Sequence, residues 1–327
     1  LENLEGIGKL ISKTDPDENR QWVRENKSRG LEDKTMSVKE AVDKFVKDGD
    51  YIFFGFFGTR VPMSLLYEII RQKKKNLSVG RGGLYDLDIL VAAGCVNKFD
   101  RAYGGGFEVL GLSSVYRKAI LNGQMQVNEW SNATYAWRLK AAAMGLPFLP
   151  VRSLMGSDTF KQSSAKMIKC PFTGMKLAAV PACYPDVSMI HVHRCDKYGN
   201  AQIDGVKVFD IDAAKAGRKV ILTTEEIIDT EAIRSKPWRT DIPHYYVDAV
   251  VEVPYGSHPS NMPQMYYMDE EILKEYIQQS KTPEGVQAFF DKYVFGAEDF
   301  DEYLKLIGGT KKLRYLRNLE RFQEKRG

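Results

Sequence analysis

Three times within the first third of the chain, a run of strand-forming residues ends in glycine and gives way to a helical pattern. Residues 51–56 are apolar apart from a turn glycine, Gly55, and lead to Gly58. Residues 77–79 end in Gly80-Arg81-Gly82-Gly83, and residues 99–103 end in Gly104-Gly105-Gly106. Short apolar runs of this kind read as strands buried on both faces, and helices between successive strands make the sheet parallel. The helical patterns are explicit. Ser37 and Glu40 form a capping box ahead of Val38, Ala41, Val42, Phe45 and Val46 at helical spacing. Pro62 then opens a helix whose buried stripe is Leu65, Leu66, Ile69 and Ile70. Further helices are expected over 88–93, 113–121 and 133–144. The second half holds strands near 177–180, 187–193, 219–224 and 247–253, then helices over 269–280, 284–294 and 298–307. The predicted fold class is α/β, a mostly parallel sheet with helices on both faces and a helical C-terminal extension.

Composition closes off several classes. At 43% hydrophobic and 28% charged residues, the chain is ordinary for a soluble globular protein, and no segment is apolar enough to span a membrane. Glu2, Glu5, Lys9 and Lys13 near the start are unlike a secretory signal. The net charge of +4 comes largely from the C-terminal tail, so it does not argue for nucleic acid. Cys95, Cys170, Cys183 and Cys195 are widely spaced without a C-x-x-C pair, which predicts free thiols in a reducing cytoplasm rather than a zinc site. Three segments are expected: a polar arm over 1–34, an α/β domain over 35–310 and a basic tail over 311–327. Within the arm, Trp22 and Val23 suit either a short docked helix or a loosely held segment.

In doubly wound sheets a ligand lies at the carboxyl ends of the strands, where glycine lets backbone amides approach it. Gly55, Gly58, Gly82, Gly83, Gly105 and Gly106 are therefore candidate substrate-binding positions, although each also suits a plain tight turn. None forms a dinucleotide fingerprint, and no Walker A sequence occurs. Arg60, in the first of these turns, is the candidate anchor for a substrate carboxylate, with a surface arginine as the alternative reading. Arg81 is a second candidate. His191 and His193 alternate with apolar residues and lack an evident third ligand, so they read as satisfied core histidines and no metal is expected. His258 and Ser260, in a proline-rich loop, border either a pocket or an interface.

Several segments, taken in order, resemble the α subunit of coenzyme A transferases of the glutaconate type. They are Gly55-Phe56-Phe57-Gly58-Thr59-Arg60-Val61-Pro62, Phe107-Glu108-Val109-Leu110-Gly111-Leu112, and residues 141–151 followed by Gly156-Ser157-Asp158. The Pro185-Asp186-Val187 strand with its Asp196 to Asn200 turn, Thr224-Glu225-Glu226 and Pro254-Tyr255-Gly256-Ser257-His258-Pro259-Ser260 complete the set. The resemblance spans roughly 34–308 and implies the fold shared by CoA transferases and sugar-phosphate isomerases.

What it implies about activity is carboxylate exchange between short-chain carboxylic or dicarboxylic acids. CoA or acyl-CoA is then a substrate, and no cofactor is permanently bound. In the family the thioester is attacked by a glutamate in a Glu-x-Gly turn of the β subunit. The Glu-Gly pairs here, Glu5-Gly6 and Glu284-Gly285, follow no sheet strand. A β subunit is therefore the expected partner, in a heterodimer or α2β2 assembly, alongside acyl-CoA and a small carboxylate, with neither nucleic acid nor membrane. Phe107 and Glu108 occupy the loop where the glutaconate enzyme has a serine, which sets this chain apart from glutaconate itself. Glu108 is the candidate catalytic residue of this chain, as a base on water or on a substrate carbon acid, or else it orders the glycine loop. A CoA-thioester hydrolase of the ring-cleaving type and a decarboxylase are the alternatives on the same two-subunit scaffold. A non-catalytic ligand sensor would predict a fused DNA-binding segment, for which residues 1–34 are too short and too acidic.

Overall fold

Strand β1, Tyr51–Phe54, shows how the chain builds two cores from one strand. Ile52 and Phe54 join one apolar cluster, Tyr51 and Phe53 another, and all four are buried. Side chains alternate across a strand, so full burial means the sheet is covered on both sides. The computed structural model describes residues 5–55, 58–83, 85–104, 111 and 114–323. Beside β1 stand β2 (Leu77–Gly83), β3 (Val96–Gly104) and β4 (Gln126–Glu129). After β5 (Phe148–Val151), β6 (Lys166–Lys169) and β7 (Lys176–Pro181), the chain returns to the sheet with β8 (Val187–Val192). A ribbon of β9 (Arg194–Cys195) and β10 (Ala201–Gln202) follows, then β11 (Lys219–Thr224) and β12 (Ala249–Glu252). The main sheet has the order β12-β11-β8-β1-β2-β3-β4, and every pairing in it is parallel.

The helices before β5 are α1 (Pro16–Asn26), α2 (Val38–Phe45), α3 (Met63–Arg71), α4 (Tyr85–Ala92), α5 (Ser114–Leu121) and α6 (Asn132–Ala143). Those that follow are α7 (Asp158–Gln162), α8 (Asp210–Ala216), α9 (Thr230–Arg234), α10 (Glu270–Gln279), α11 (Pro283–Tyr293), α12 (Phe300–Leu306) and α13 (Gly309–Glu320). Helices α2 to α5 and α10 to α12 cover one face of the sheet, and α6 and α8 pack against the other. The expected capping box of α2 is present, with the Ser37 hydroxyl and the Glu40 carboxylate each serving the other's backbone N–H. No helix among the described residues is long and apolar enough to cross a membrane.

Several elements differ from the sequence expectation, two of them informatively. Residues 177–180 are not in the main sheet: β7 is the centre of a separate antiparallel sheet between β5 and β6. The connection from β6 to β7 covers only 170–175, enough to reverse the chain but too short for a parallel crossover. Strand β4 has no apolar pattern, since three of its four residues are polar. Its Asn128 nevertheless belongs to a buried layer beneath the sheet, centred on Asp100. That carboxylate accepts hydrogen bonds from the Tyr51 hydroxyl, Asn128 and the Trp130 indole, and pairs with Arg138 at 2.8 Å. A buried charge is tolerable only when so fully partnered.

Both ends of the described residues are docked. Residues 6–8 hydrogen-bond to the backbone of 161–165, and Asp15 caps α1. The Arg218 guanidinium lies over the Trp22 ring and bonds Glu18 and Asn19. At the other end, Lys312 of α13 pairs with Asp269, and the Tyr267 N–H donates to the Leu316 carbonyl.

Candidate active site

The carboxyl ends of the parallel strands gather the residues expected there. Gly82 and Gly83 close β2 beside Tyr103 and Gly104 of β3, after a bulge at Arg81 that breaks the regular ladder. The adjacent strand β1 runs into Gly55 and then Gly58, both with left-handed backbone (φ 52° and 66°), which a glycine adopts without strain. Gly105, Gly106, Phe107 and Glu108 lie outside the described residues.

Arg60 follows, itself left-handed at φ 50°, an unusual conformation for a side chain of its size. The loop from 254 to 262 holds it there. The Arg60 N–H donates to the Asn261 carbonyl at 3.0 Å, and Thr59 bridges to Asn261. The side chain is not on the surface. It is 3% exposed, and its Nη2 meets the Asp210 carboxylate at 2.6 Å, at the start of α8. Burial raises the pKa of that carboxyl, and the guanidinium opposes the rise. The Arg60 Nε and Nη1 atoms have no hydrogen-bond partner among the described residues. An unpaired buried donor costs about 1–3 kcal/mol, so these two groups favour an incoming acceptor such as a carboxylate.

Arg81, the second candidate, has a structural task instead. It is fully buried, donates to the Phe54 carbonyl at 2.6 Å, and pairs with Asp86 at 2.8 Å. It thereby ties the end of β1 to the first turn of α4.

Both histidines of the β8 region are satisfied by protein groups. His191 Nε2 lies 2.8 Å from Glu225 and Nδ1 lies 2.7 Å from the Thr223 hydroxyl. His193 Nδ1 accepts from the Asp204 N–H, so its proton sits on Nε2, which donates to the Pro263 carbonyl. Burial holds the His193 pKa below the usual histidine range. Among the described residues, no three His, Cys, Asp or Glu side chains are grouped to hold a metal ion. His258 is fully buried between Asp269 and the Tyr303 hydroxyl, and burial lowers its pKa despite the carboxylate.

Two of the groups that shape this edge carry little mark in the sequence. Asp210 sits between Phe209 and Ile211, with nothing local to identify it as the mate of Arg60. Glu225, at the end of β11, accepts from the Tyr266 hydroxyl at 2.6 Å, from the Tyr255 N–H at 2.7 Å and from His191. The available signal was a carboxylate directly after an apolar strand, in a segment already matched to the family. Together these contacts fix the 254–262 loop, which in turn fixes Arg60. A cavity of about 400 Å³ opens nearby, lined by Asp204, Lys207, Trp238, Arg239, Asp241 and Gln264 among others.

The buried carboxylates described at these strand ends are engaged, while Glu226, next to Glu225, is exposed to solvent. Glu129 faces Arg101, Asp204 faces Arg194 and Arg239, Asp210 faces Arg60, Glu225 holds its network, and Glu252 accepts from the Ile227 N–H. The edge thus offers glycine-lined backbone and a half-satisfied guanidinium, and its buried carboxylates, Asp210 and Glu225, are already partnered.

A family model for coenzyme A transferase matches residues 35–253. The α subunit of glutaconate CoA-transferase from Acidaminococcus fermentans is 38% identical over 298 residues, which is 85% of this chain and 93% of that one. The corresponding subunit of 3-oxoadipate CoA-transferase from Pseudomonas knackmussii is 36% identical over 283 residues, 84% of this chain and 99% of its own length. The crystal structure of glutaconate coenzyme A-transferase from Acidaminococcus fermentans superimposes with a TM-score of 0.83 at 36% identity, covering 87% of this chain and 95% of that one. The architecture is thus common ground between this chain and a solved transferase, and the chain belongs to the coenzyme A transferase family.

Proposed function

We propose that this chain is the α subunit of a two-subunit CoA transferase that exchanges CoA between short-chain carboxylic or dicarboxylic acids. The observation that carries the reading is the contrast at the sheet edge. Arg60 keeps two buried donor nitrogens without acceptors, whereas the buried carboxylates described there, Asp210 and Glu225, already have partners. The chain is equipped to hold a carboxylate and leaves the attacking one to a second polypeptide.

In this mechanism a β-subunit glutamate attacks the thioester carbonyl of acyl-CoA. The C–S bond breaks, CoA leaves as a thiolate, and a mixed anhydride remains. The thiolate then attacks the glutamyl carbonyl of the anhydride, releasing the first acid and leaving an enzyme–CoA thioester. The acceptor acid runs both steps in reverse. Arg60 orients the carboxylate of the exchanging acid. The backbone around Gly55, Gly58, Gly82, Gly83, Gly105 and Gly106 supplies N–H groups to the oxyanions, and Phe107 contributes an apolar wall. Glu108 acts from this chain's own loop, beside the attacking residue. CoA enters as a substrate, and the assembly operates in the cytoplasm without a resident cofactor.

The test is co-expression with a β-type partner from the same organism, followed by incubation with acyl-CoA. A transferase turns over only when an acceptor acid is added, and leaves an enzyme–CoA thioester that borohydride reduces. CoA release without acceptor would sink the reading. Loss of activity in Glu108→Ala with a dispensable β-subunit glutamate would move the chemistry to hydrolysis.

A further inference from the structure

Far from the glycine turns, at the opposite ends of the helices that cover the first face, five lysines ring one groove. Lys73, Lys74 and Lys75 follow α3, Lys118 lies in the last turn of α5, and Lys281 follows α10. The groove has a volume of about 590 Å³, within the usual range for small-molecule sites. Its floor is apolar, with Ile70, Val91, Ala119 and Phe290, and Phe295 stands half-exposed at the rim. No Asp or Glu lines it, and none of the five ammonium groups reaches a carboxylate among the described residues.

Helix ends explain part of this charge and not all of it. Helices α3, α4, α5 and α10 end here, each with about half a negative charge at its carboxyl terminus, while α11 begins here with the opposite sign. Five lysines exceed what those ends neutralise, even with Asp48 and Glu284 close by. A second observation is independent of charge. Lys73 has left-handed backbone, φ 54°, at the position after the α3 cap where glycine or asparagine ordinarily sits. The chain accepts an unfavourable conformation there and keeps an ammonium group.

We propose that this groove binds an amphipathic polyanion of the nucleoside-polyphosphate class, its phosphates on the lysines and its base over the apolar floor. The same chemistry is present in free nucleotides and in the nucleotide end of CoA, and the experiment separates them. The site is remote from Arg60 and does not depend on the transferase reading.

The probes are ATP, CoA and inorganic tripolyphosphate, titrated calorimetrically into the full chain alone and into the assembled enzyme. ATP should bind, weaken steeply as salt rises, and lose at least tenfold in affinity in the variant carrying Lys74→Gln, Lys118→Gln and Lys281→Gln. Arg60→Ala should leave that binding unchanged. If CoA also binds and the triple variant loses it, CoA shares the site; if ATP alone does so, free nucleotide is the ligand. Three results would overturn the proposal: no binding of either nucleotide, equal affinity in the triple variant, or tripolyphosphate binding as tightly as ATP. Binding that disappears in the assembled enzyme would make the groove an intersubunit contact instead, and would overturn it equally.

Discussion

Arg60 and Asp210, 150 residues apart in sequence, meet at 2.6 Å with both side chains almost fully buried. Removing one member of such a pair strands the other charge in the interior. Asp210→Asn should therefore destabilise the fold by about 3–5 kcal/mol in a denaturant titration. Combining it with Arg60→Met should recover most of that loss while abolishing use of the carboxylate substrate. A double variant no more stable than the single one would show that the pair is not coupled.

Glu225 holds its loop through oxygen atoms alone, since the Tyr255 N–H, the Tyr266 hydroxyl and His191 all point at its carboxylate. Glu225→Gln places an NH2 group against at least one of those donors, costing about 1–3 kcal/mol. Hydrogen exchange should rise over 254–262 and at Arg60 while the amides of β1 and β8 stay protected. Uniform loss of protection across the sheet would refute this chain of support.

The buried histidines give the fold a defined pH response. The pKa of His258 lies below its ordinary 6.5 because burial disfavours the cation, and that of His193 is lowered for the same reason. The unfolded chain therefore takes up these protons first as the pH falls. Their contribution is neutral above about pH 6.5, and stability is lost from there down towards the folded values. The difference in denaturant midpoint between the wild type and His258→Gln should shrink from pH 7.5 to 5.5, and NMR titration should place both imidazoles below 6.5. An imidazole titrating above 6.5 would contradict the burial argument.

The four thiols should separate by environment. Burial pushes Cys95 and Cys195 up to about 12 and raises Cys183, whereas the Thr173 hydroxyl and the N–H groups of Thr173 and Phe172 lower the pKa of Cys170 at an exposed hairpin tip. A thiol reagent at neutral pH should label Cys170 first in the native protein, and the other three only on unfolding. Mass mapping that finds Cys183 labelled as early as Cys170 would count against the structure.

The sheet was legible because its signals are local. Phe54 and Gly55 lie side by side in the chain, whereas the turn expected after Val79 comes later, because Gly80 to Gly83 continue β2. Strand propensity, the glycine turn and the following helix stripe can therefore be read within some twenty residues. The family resemblance was legible for the same reason, since short ordered segments carry it. The sequence alone thus determined a parallel α/β sheet and membership of a transferase family.

What only the tertiary structure decided depends on partners distant in sequence. Arg60 read equally as a surface arginine or a substrate anchor until Asp210 and Asn261 were brought against it. Asp100 lies in an expected strand and Asn128 in none, and their shared role appears only where Tyr51, Trp130 and Arg138 close around them. The direction of β7 was settled by pairing with strands on either side of it, not by its own composition. Burial and charge pairing are properties of the packed molecule: a carboxylate's neighbours are set by how helices and strands stack, and no local pattern records them.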